Sequence, residues 1–416
     1  MIKKIYTLSL IFCICFLTGF SIESSKGRWE KFTFKDNFLV SNQFKSIFED
    51  SKGNIWCISW GRGVSKFDGA TWRNFKTGNG LISNTIETYM LDSQGNVWFF
   101  GPKLRFSTYN GKRMIKGPKI YVQTIFEDIN KNIWLGGGYG SWGLYNYKGP
   151  KNYIKYTKKD GLVGNLITVI FEDSKGILWV GTRGGISSYD GQNWKMYNED
   201  NGATSKAVSA ILEDKQGNIW FGTYGGVFRF DGENWKSFTK KDVLPSNDVL
   251  LMKMDRKGDI WVTFGGHSKE WGLLSIGSDI GHKSGVIKYD GKEWRPFTLQ
   301  EGAPTSQVNK MEIDSKDNVW CDTTYTTGFY VYDGTKWTRY SKEKGFYSNH
   351  FYEFEEDSDG NIWLATGSGL LFYNGEEWAQ YTIEDGLPGN RIFSVLEDSR
   401  GDIWIATTEG VGRLKR

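Results

Sequence analysis

Histidine titrates near neutrality and ligates metals readily, and this sequence holds only three, His267, His282 and His350. Their spacing forms neither His-x-His nor His-Glu-x-x-His, so a metal site has no signature behind it. His267 or His350 could act as the base of a lyase, yet no paired carboxylates, nucleophile elbow or metal box accompanies either. A second set of residues suits binding. Trp60, Trp142 and Trp271 fall outside the regular pattern that accounts for the other Trp residues. In equivalent segments stand Arg62, Lys103, Tyr139, Arg183, Tyr224, Phe264, His267 and Tyr325. Aromatic faces with cationic and amide donors fit sugar rings, which offer apolar C–H patches and hydroxyl rims. The competing reading is that these aromatics pack on one another to hold glycine-rich loops.

The chain that must position them has 416 residues, 39% hydrophobic and 24% charged, with 27 Phe, 21 Tyr and 19 Trp. That aromatic load excludes a disordered chain. The 52 glycines, set against 7 prolines and lacking a three-residue period, exclude collagen and indicate many tight turns. A net charge of +4 offers no basic stripe for nucleic acid.

The first residues read as an address. Lys3 and Lys4 precede an apolar run from Tyr6 to Phe20, and Gly19-Phe20-Ser21 places small residues at −3 and −1 before Ile22. This predicts a signal peptide over 1–21, a short leader over 22–28, and export to the periplasm or beyond. A membrane anchor is the alternative, although the run is shorter than the roughly 20 residues a spanning helix needs. A lipid on Cys13 or Cys15 fits less well, because Phe16-Leu17 follows where a polar tether would stand. No other segment is apolar enough to span a bilayer. Cys57 and Cys321 each follow a Trp at one point of the repeat below. Equivalent positions in non-neighbouring units do not meet within disulfide range, so free buried thiols are expected.

A repeat of the form Ile-x-Glu-Asp-Ser-x-Gly-Asn-Ile-Trp-x-Gly-Thr runs down the chain. Its Trp falls at Trp56, Trp98, Trp134, Trp179, Trp220, Trp261, Trp320, Trp363 and Trp404, and an Asp stands six residues before each, from Asp50 to Asp398. A second element, Tyr-Asp-Gly-x-x-Trp-x-x-Tyr, follows each unit, with Met114 and Tyr153 standing in for its Trp. Turn signals cut each unit into four short strands, A to D; in the fourth these are Leu166–Glu172, Leu178–Gly181, Gly185–Tyr189 and Trp194–Tyr197. Four-stranded units without helices predict an all-β chain, a single β-propeller over 29–416. The strand-B Trp then packs against the neighbouring blade. The last unit ends without a strand D, and Trp29-Glu30-Lys31-Phe32 supplies one, closing the ring. That makes nine blades, or eight if the short second unit, 36 residues from Trp98 to Trp134, is displaced. Loops B–C and D–A share one face, which collects Trp60, Trp142, Trp271 and the three histidines. Asn42, Asn84, Asn165, Asn247, Asn349 and Asn390 recur in the D–A turns, as turn caps or as a lining of the channel mouth. The Asp register differs from the sialidase Asp box, and each Asp lies in its own turn, which does not gather ligands for calcium.

Strings such as Glu172-Asp173-Ser174-Lys175-Gly176 through Gly181-Thr182, with Asp-Gly-Leu turns before strand A, resemble two-component regulator propeller repeats over essentially all of Trp29 to Arg416. The resemblance implies a propeller of the kind found in the periplasmic sensor part of hybrid histidine kinases, many of which sense oligosaccharides. The sequence shows no kinase segment. The expectation is an exported, monomeric, non-enzymatic module without cofactors. It binds a glycan or a partner protein, a membrane sensor kinase among them. The alternative is a periplasmic lyase or hydrolase working on a polysaccharide or small molecule at the same face.

Overall fold

The structure, a computed structural model, describes residues 28–36, 38–102, 105–138, 140–204, 206–265, 283–298, 300–304, 306–323 and 328–416. The segment 1–21 lies outside them, as do Lys103, Tyr139, His267, Trp271 and Tyr325.

The chain folds into nine four-stranded antiparallel sheets. In the fourth blade the strands run Ile167–Glu172, Leu178–Thr182, Gly185–Tyr189 and Trp194–Tyr197, within a residue of the boundaries the turn signals predict. The short second unit is a full blade, Thr88–Leu91, Val97–Phe100, Phe106–Tyr109 and Met114–Lys116. Eight blades are thereby excluded. The ninth sheet is the expected clasp: Trp29–Phe32 pairs with Val411–Leu414, Trp29 opposite Leu414 and Phe32 opposite Val411.

Each strand-B Trp is buried and accounts for the strength of the repeat. Trp56 packs on Phe99 and Tyr109 of the next blade, and Trp404 packs on Phe67 and Trp72 of blade 1. An indole buried this way still needs a partner for its N–H. The Asp six residues earlier supplies it in every blade, at 2.7–3.0 Å. The same carboxylate caps its own A–B turn: Asp50 accepts from the N–H groups of Lys52 and Asn54. The Glu-Asp-Ser string carries a third bond, between blades. Glu127, Glu213, Glu356, Glu397 and Glu49 accept from the N–H of Ser93, Ser174, Ser315, Ser358 and Ser399 in the preceding blade, at 2.6–2.7 Å.

Both described cysteines, Cys57 and Cys321, are free and buried. The D–A asparagines resolve as turn caps. Asn42, Asn84, Asn165, Asn247, Asn349 and Asn390 each accept, at 2.6–2.8 Å, an N–H from the start of their own loop. Glycine opens strand C because of close approach. A Cβ on Gly226, at φ +120°, would stand 2.3 Å from the carbonyl oxygen of Phe238 in strand D, a conformation and a space open only to glycine.

Candidate functional site

A four-stranded meander puts its A–B and C–D turns on one face and its B–C and D–A loops on the other. Strand A is the inner strand. Its side chains bond the backbone of, or just before, strand A of the next blade, as when Ser394 Oγ accepts the Ile47 N–H at 3.0 Å and Lys45 Nζ reaches the Glu87 carbonyl at 3.2 Å.

Most strands A begin with a β-bulge. In blade 1 Phe44 pairs with Ser59 and Ser46 with Ile58, leaving Lys45 as the extra residue. In blade 9 Ile392 pairs with Thr407 and Ser394 with Ala406, leaving Phe393. Such an extra residue is re-aimed by the local kink, here at the mouth of the channel on the B–C and D–A face. Tyr352 holds the matching position in blade 8, ahead of strand A (Glu353–Glu356), and its N–H bonds the Ala365 carbonyl at 2.7 Å.

These positions form an arc of rings. Tyr352 stacks on Phe393 at 5.2 Å and 25°, and Phe393 meets Trp60 edge-on at 5.5 Å and 68°. Trp60 opens the B–C loop of blade 1, tied through its N–H to the Gln43 carbonyl at 3.0 Å, and is 51% exposed. Cations lie over two of the rings: Lys45 Nζ is 5.6 Å from the Trp60 centroid, and the Arg391 guanidinium 5.1 Å from that of Phe393. Burial lowers the Lys45 ammonium below the usual lysine range, opposed by nearby Glu87.

Next to Tyr352 lies a charged cluster. Asp322 occupies the strand-B position where five other blades have Gly136, Gly181, Gly222, Ala365 or Ala406. Its Oδ1 sits 3.1 Å from Nδ1 of His350, in the D–A loop before blade 8, and Lys310 faces it across the strand pair. Lys310 Nζ also donates to the Tyr352 carbonyl. Burial raises the Asp322 carboxyl, and His350, the Phe351 N–H and Lys310 draw it back in part. Glu353 is likewise raised by burial, against a bond from Ser394 and one from the Val395 N–H at 3.1 Å. Among the described residues no group of His, Cys, Asp and Glu is arranged to hold a metal ion.

The predicted residues are distributed unevenly. Trp60 and Arg62 share the loop beside the arc, Arg62 exposed and its N–H bonded to Ser59 Oγ at 3.0 Å. Trp142, 44% exposed, stands in the B–C loop of blade 3. Arg183, exposed, and Tyr224, 40% exposed, follow on blades 4 and 5. Phe264 needs correction. It ends strand B of blade 6 (Ile260–Phe264) instead of entering the loop, and it is fully buried in the hydrophobic cluster that blade 6 shares with blade 5, so it has no face to offer a ligand. Sequence reasoning missed Phe393, Tyr352, Asp322 and Lys310. The one available signal was an Asp in place of the recurrent Gly or Ala; the other residues sit in strands whose neighbours are known only once the ring closes.

The family model described as two component regulator propeller matches residues 161–184, 202–225, 348–368 and 386–409. No curated protein matches the chain. Among solved structures, the extracellular domain of a putative one component system from B. thetaiotaomicron is similar at 19% identity over 89% of this chain and 51% of that one, with a TM-score of 0.44. The extracellular domain of a putative hybrid two component system from the same organism is similar at 17% identity over 92% and 70%, TM-score 0.31. A virginiamycin B lyase from Staphylococcus aureus follows at 11% identity over 94% and 99%, TM-score 0.39. The chain thus spans about half the length of the first of these structures. The four matched segments hold the D–A turn, strand A and strand B of blades 4, 5, 8 and 9, and in those four blades the chain carries two component regulator propeller repeats.

Proposed function

We propose that this protein is an exported, non-enzymatic binding propeller that takes a carbohydrate at the channel mouth on the B–C and D–A face. The observation that carries the reading is the arc of Tyr352, Phe393 and Trp60. Three rings from three blades converge on one rim, and Trp60 keeps half its surface in solvent. Exposed aromatic surface on a water-soluble face is the mark of a partner site. Trp142 and Tyr224 extend the same face. Export is supported by the basic and apolar leader over 1–21. The decisive experiment is a glycan array on the mature protein, with a pull-down for a membrane sensor kinase as the protein arm. Titration of Trp60→Ala and Phe393→Ala should then show binding weaker by about 1–3 kcal/mol with little change in melting temperature. Ligand binding that both variants retain in full would place the site elsewhere.

A lyase or hydrolase is favoured by one observation, the His350–Asp322 pair. A carboxylate on Nδ1 orients an imidazole as it does in general-base catalysis. Turnover of an array ligand, abolished in His350→Gln, would establish that reading; binding without turnover rejects it.

A further inference from the structure

The charges around the arc are asymmetric in what they already bond. Of the acids beside it, Asp322 and Glu353 are satisfied internally, while exposed Glu87 stands near Lys45. Asp322 faces His350 and accepts from the Phe351 N–H at 3.4 Å, and Glu353 accepts from the Val395 N–H. The cations are not. Among the described residues, the side chains of Arg391 and Arg62 have no carboxylate partner; Arg391 lies over Phe393, and Arg62 sits two residues beyond Trp60. Both are exposed. Lys45 adds a third positive charge, over the Trp60 ring, and spends its one bond on a backbone carbonyl. The rim therefore offers stacking faces edged by unpaired guanidinium groups. A guanidinium presents a planar fork that matches a carboxylate or sulfate bidentately.

Resting on the binding reading above, we infer that the mouth selects an acidic oligosaccharide, with pyranose faces on Trp60 and Tyr352 and carboxylates on Arg391 and Arg62. Stacking supplies affinity for any sugar chain. The guanidinium pair discriminates, because a neutral chain leaves both cations partly desolvated without a counter-charge.

The test is calorimetric titration of the mature protein with oligogalacturonate and with the same oligomer after carboxyl reduction, at low and at high salt. The acidic oligomer should bind at least about tenfold tighter than the reduced one, and salt should erase the difference. Arg391→Ala and Arg62→Ala should each weaken the acidic oligomer about tenfold and leave the reduced oligomer unchanged. Arg391→Lys should recover part of the loss, since a point charge replaces the fork. If both oligomers bind alike, lose affinity alike in Trp60→Ala and ignore Arg391→Ala, the acidic selectivity is overturned while the site stands. If neither binds, the inference is overturned. If, in addition, the glycan array yields only ligands indifferent to Trp60→Ala, the reading of the face falls with it.

Discussion

One carboxylate per repeat caps a turn and holds an indole. Asp214 accepts from Trp220 Nε1 at 2.7 Å and from the Asn218 N–H at 2.9 Å, so its removal strands a fully buried donor. Asp214→Ala should cost about 1.5–3 kcal/mol, the range for bonds to a charged group, read as a shift of the denaturant midpoint. The acids also set a pH dependence with two signs. For Asp357 and Asp398 burial alone would raise the carboxyl, but the indole and backbone bonds outweigh it and hold both below the usual range. Their contribution is present above the unfolded value of about 4 and is lost as pH falls through the lower folded value. Glu355 is the reverse: burial, with Glu353 and Glu397 nearby, pushes it up to about 7. It contributes fully below its unfolded value of about 4.3, and stability is lost as pH rises through 7. Melting temperature should therefore decline between about pH 4.3 and 7 and level off above, and Glu355→Gln should flatten that decline. A slope unchanged in the variant would assign the effect to other groups.

Turn chemistry was the most legible feature of the chain. Asp-Ser-x-Gly and Asp-Gly mark the A–B and C–D turns because Asp bonds nearby backbone N–H groups and Gly accepts positive φ. These local rules bring the strand boundaries of blade 4 to within a residue. The clasp followed from the same counting, since one D strand was missing and one was spare. Trp29 is buried against Trp363 and Leu387, and its ring meets Tyr381 edge-on at 6.2 Å. Trp29→Ala should cost about 3–5 kcal/mol, and deletion of 22–34 should cost more, measured by thermal melting. Unchanged melting of the truncated chain would mean that the ninth blade closes without it. The bulges were not legible. The residue they re-aim is Lys45 in blade 1, Phe393 in blade 9 and Ser209 in blade 5, and alternation along the strand gives no sign of the extra residue.

Around the ring, each core cluster is shared by two neighbouring blades. Trp56 and Phe48 of blade 1 join Phe99 and Tyr109 of blade 2, and Trp404 of blade 9 joins Cys57 and Phe67 of blade 1. No blade buries its faces alone, so unfolding should be one cooperative transition, with tryptophan fluorescence and far-ultraviolet dichroism coincident. The ties between Glu and Ser reinforce the junctions unevenly. At the junction of blades 6 and 7, Ile313 stands where other blades place the Glu, but there Asp317 accepts from the Arg256 N–H at 2.9 Å. Leu91 takes that place between blades 1 and 2, and Met254 does so between blades 5 and 6. Hydrogen exchange should open first at these two junctions. Uniform protection around the ring would show that apolar packing alone sets the local stability.

Fold, blade unit, closure and the buried thiols could be read from residue types and spacing because each rests on contacts that recur with the repeat. A signal repeated in every blade survives any single substitution. The B–C and D–A face was legible as a face, since loop identity follows from strand order, and Trp60 was legible as a departure from the repeat. Its partners were not. Phe393 lies far from Trp60 in sequence and reaches it only because the last blade closes on the first. Phe264 was misplaced because it holds the place of Thr182 and Thr223, the last residue of strand B, where the side chain is buried in the core and does not enter the loop. Asp322 and His350 meet across a blade junction by the same logic. Local chemistry dictates each blade, and ring closure dictates which side chains share the mouth.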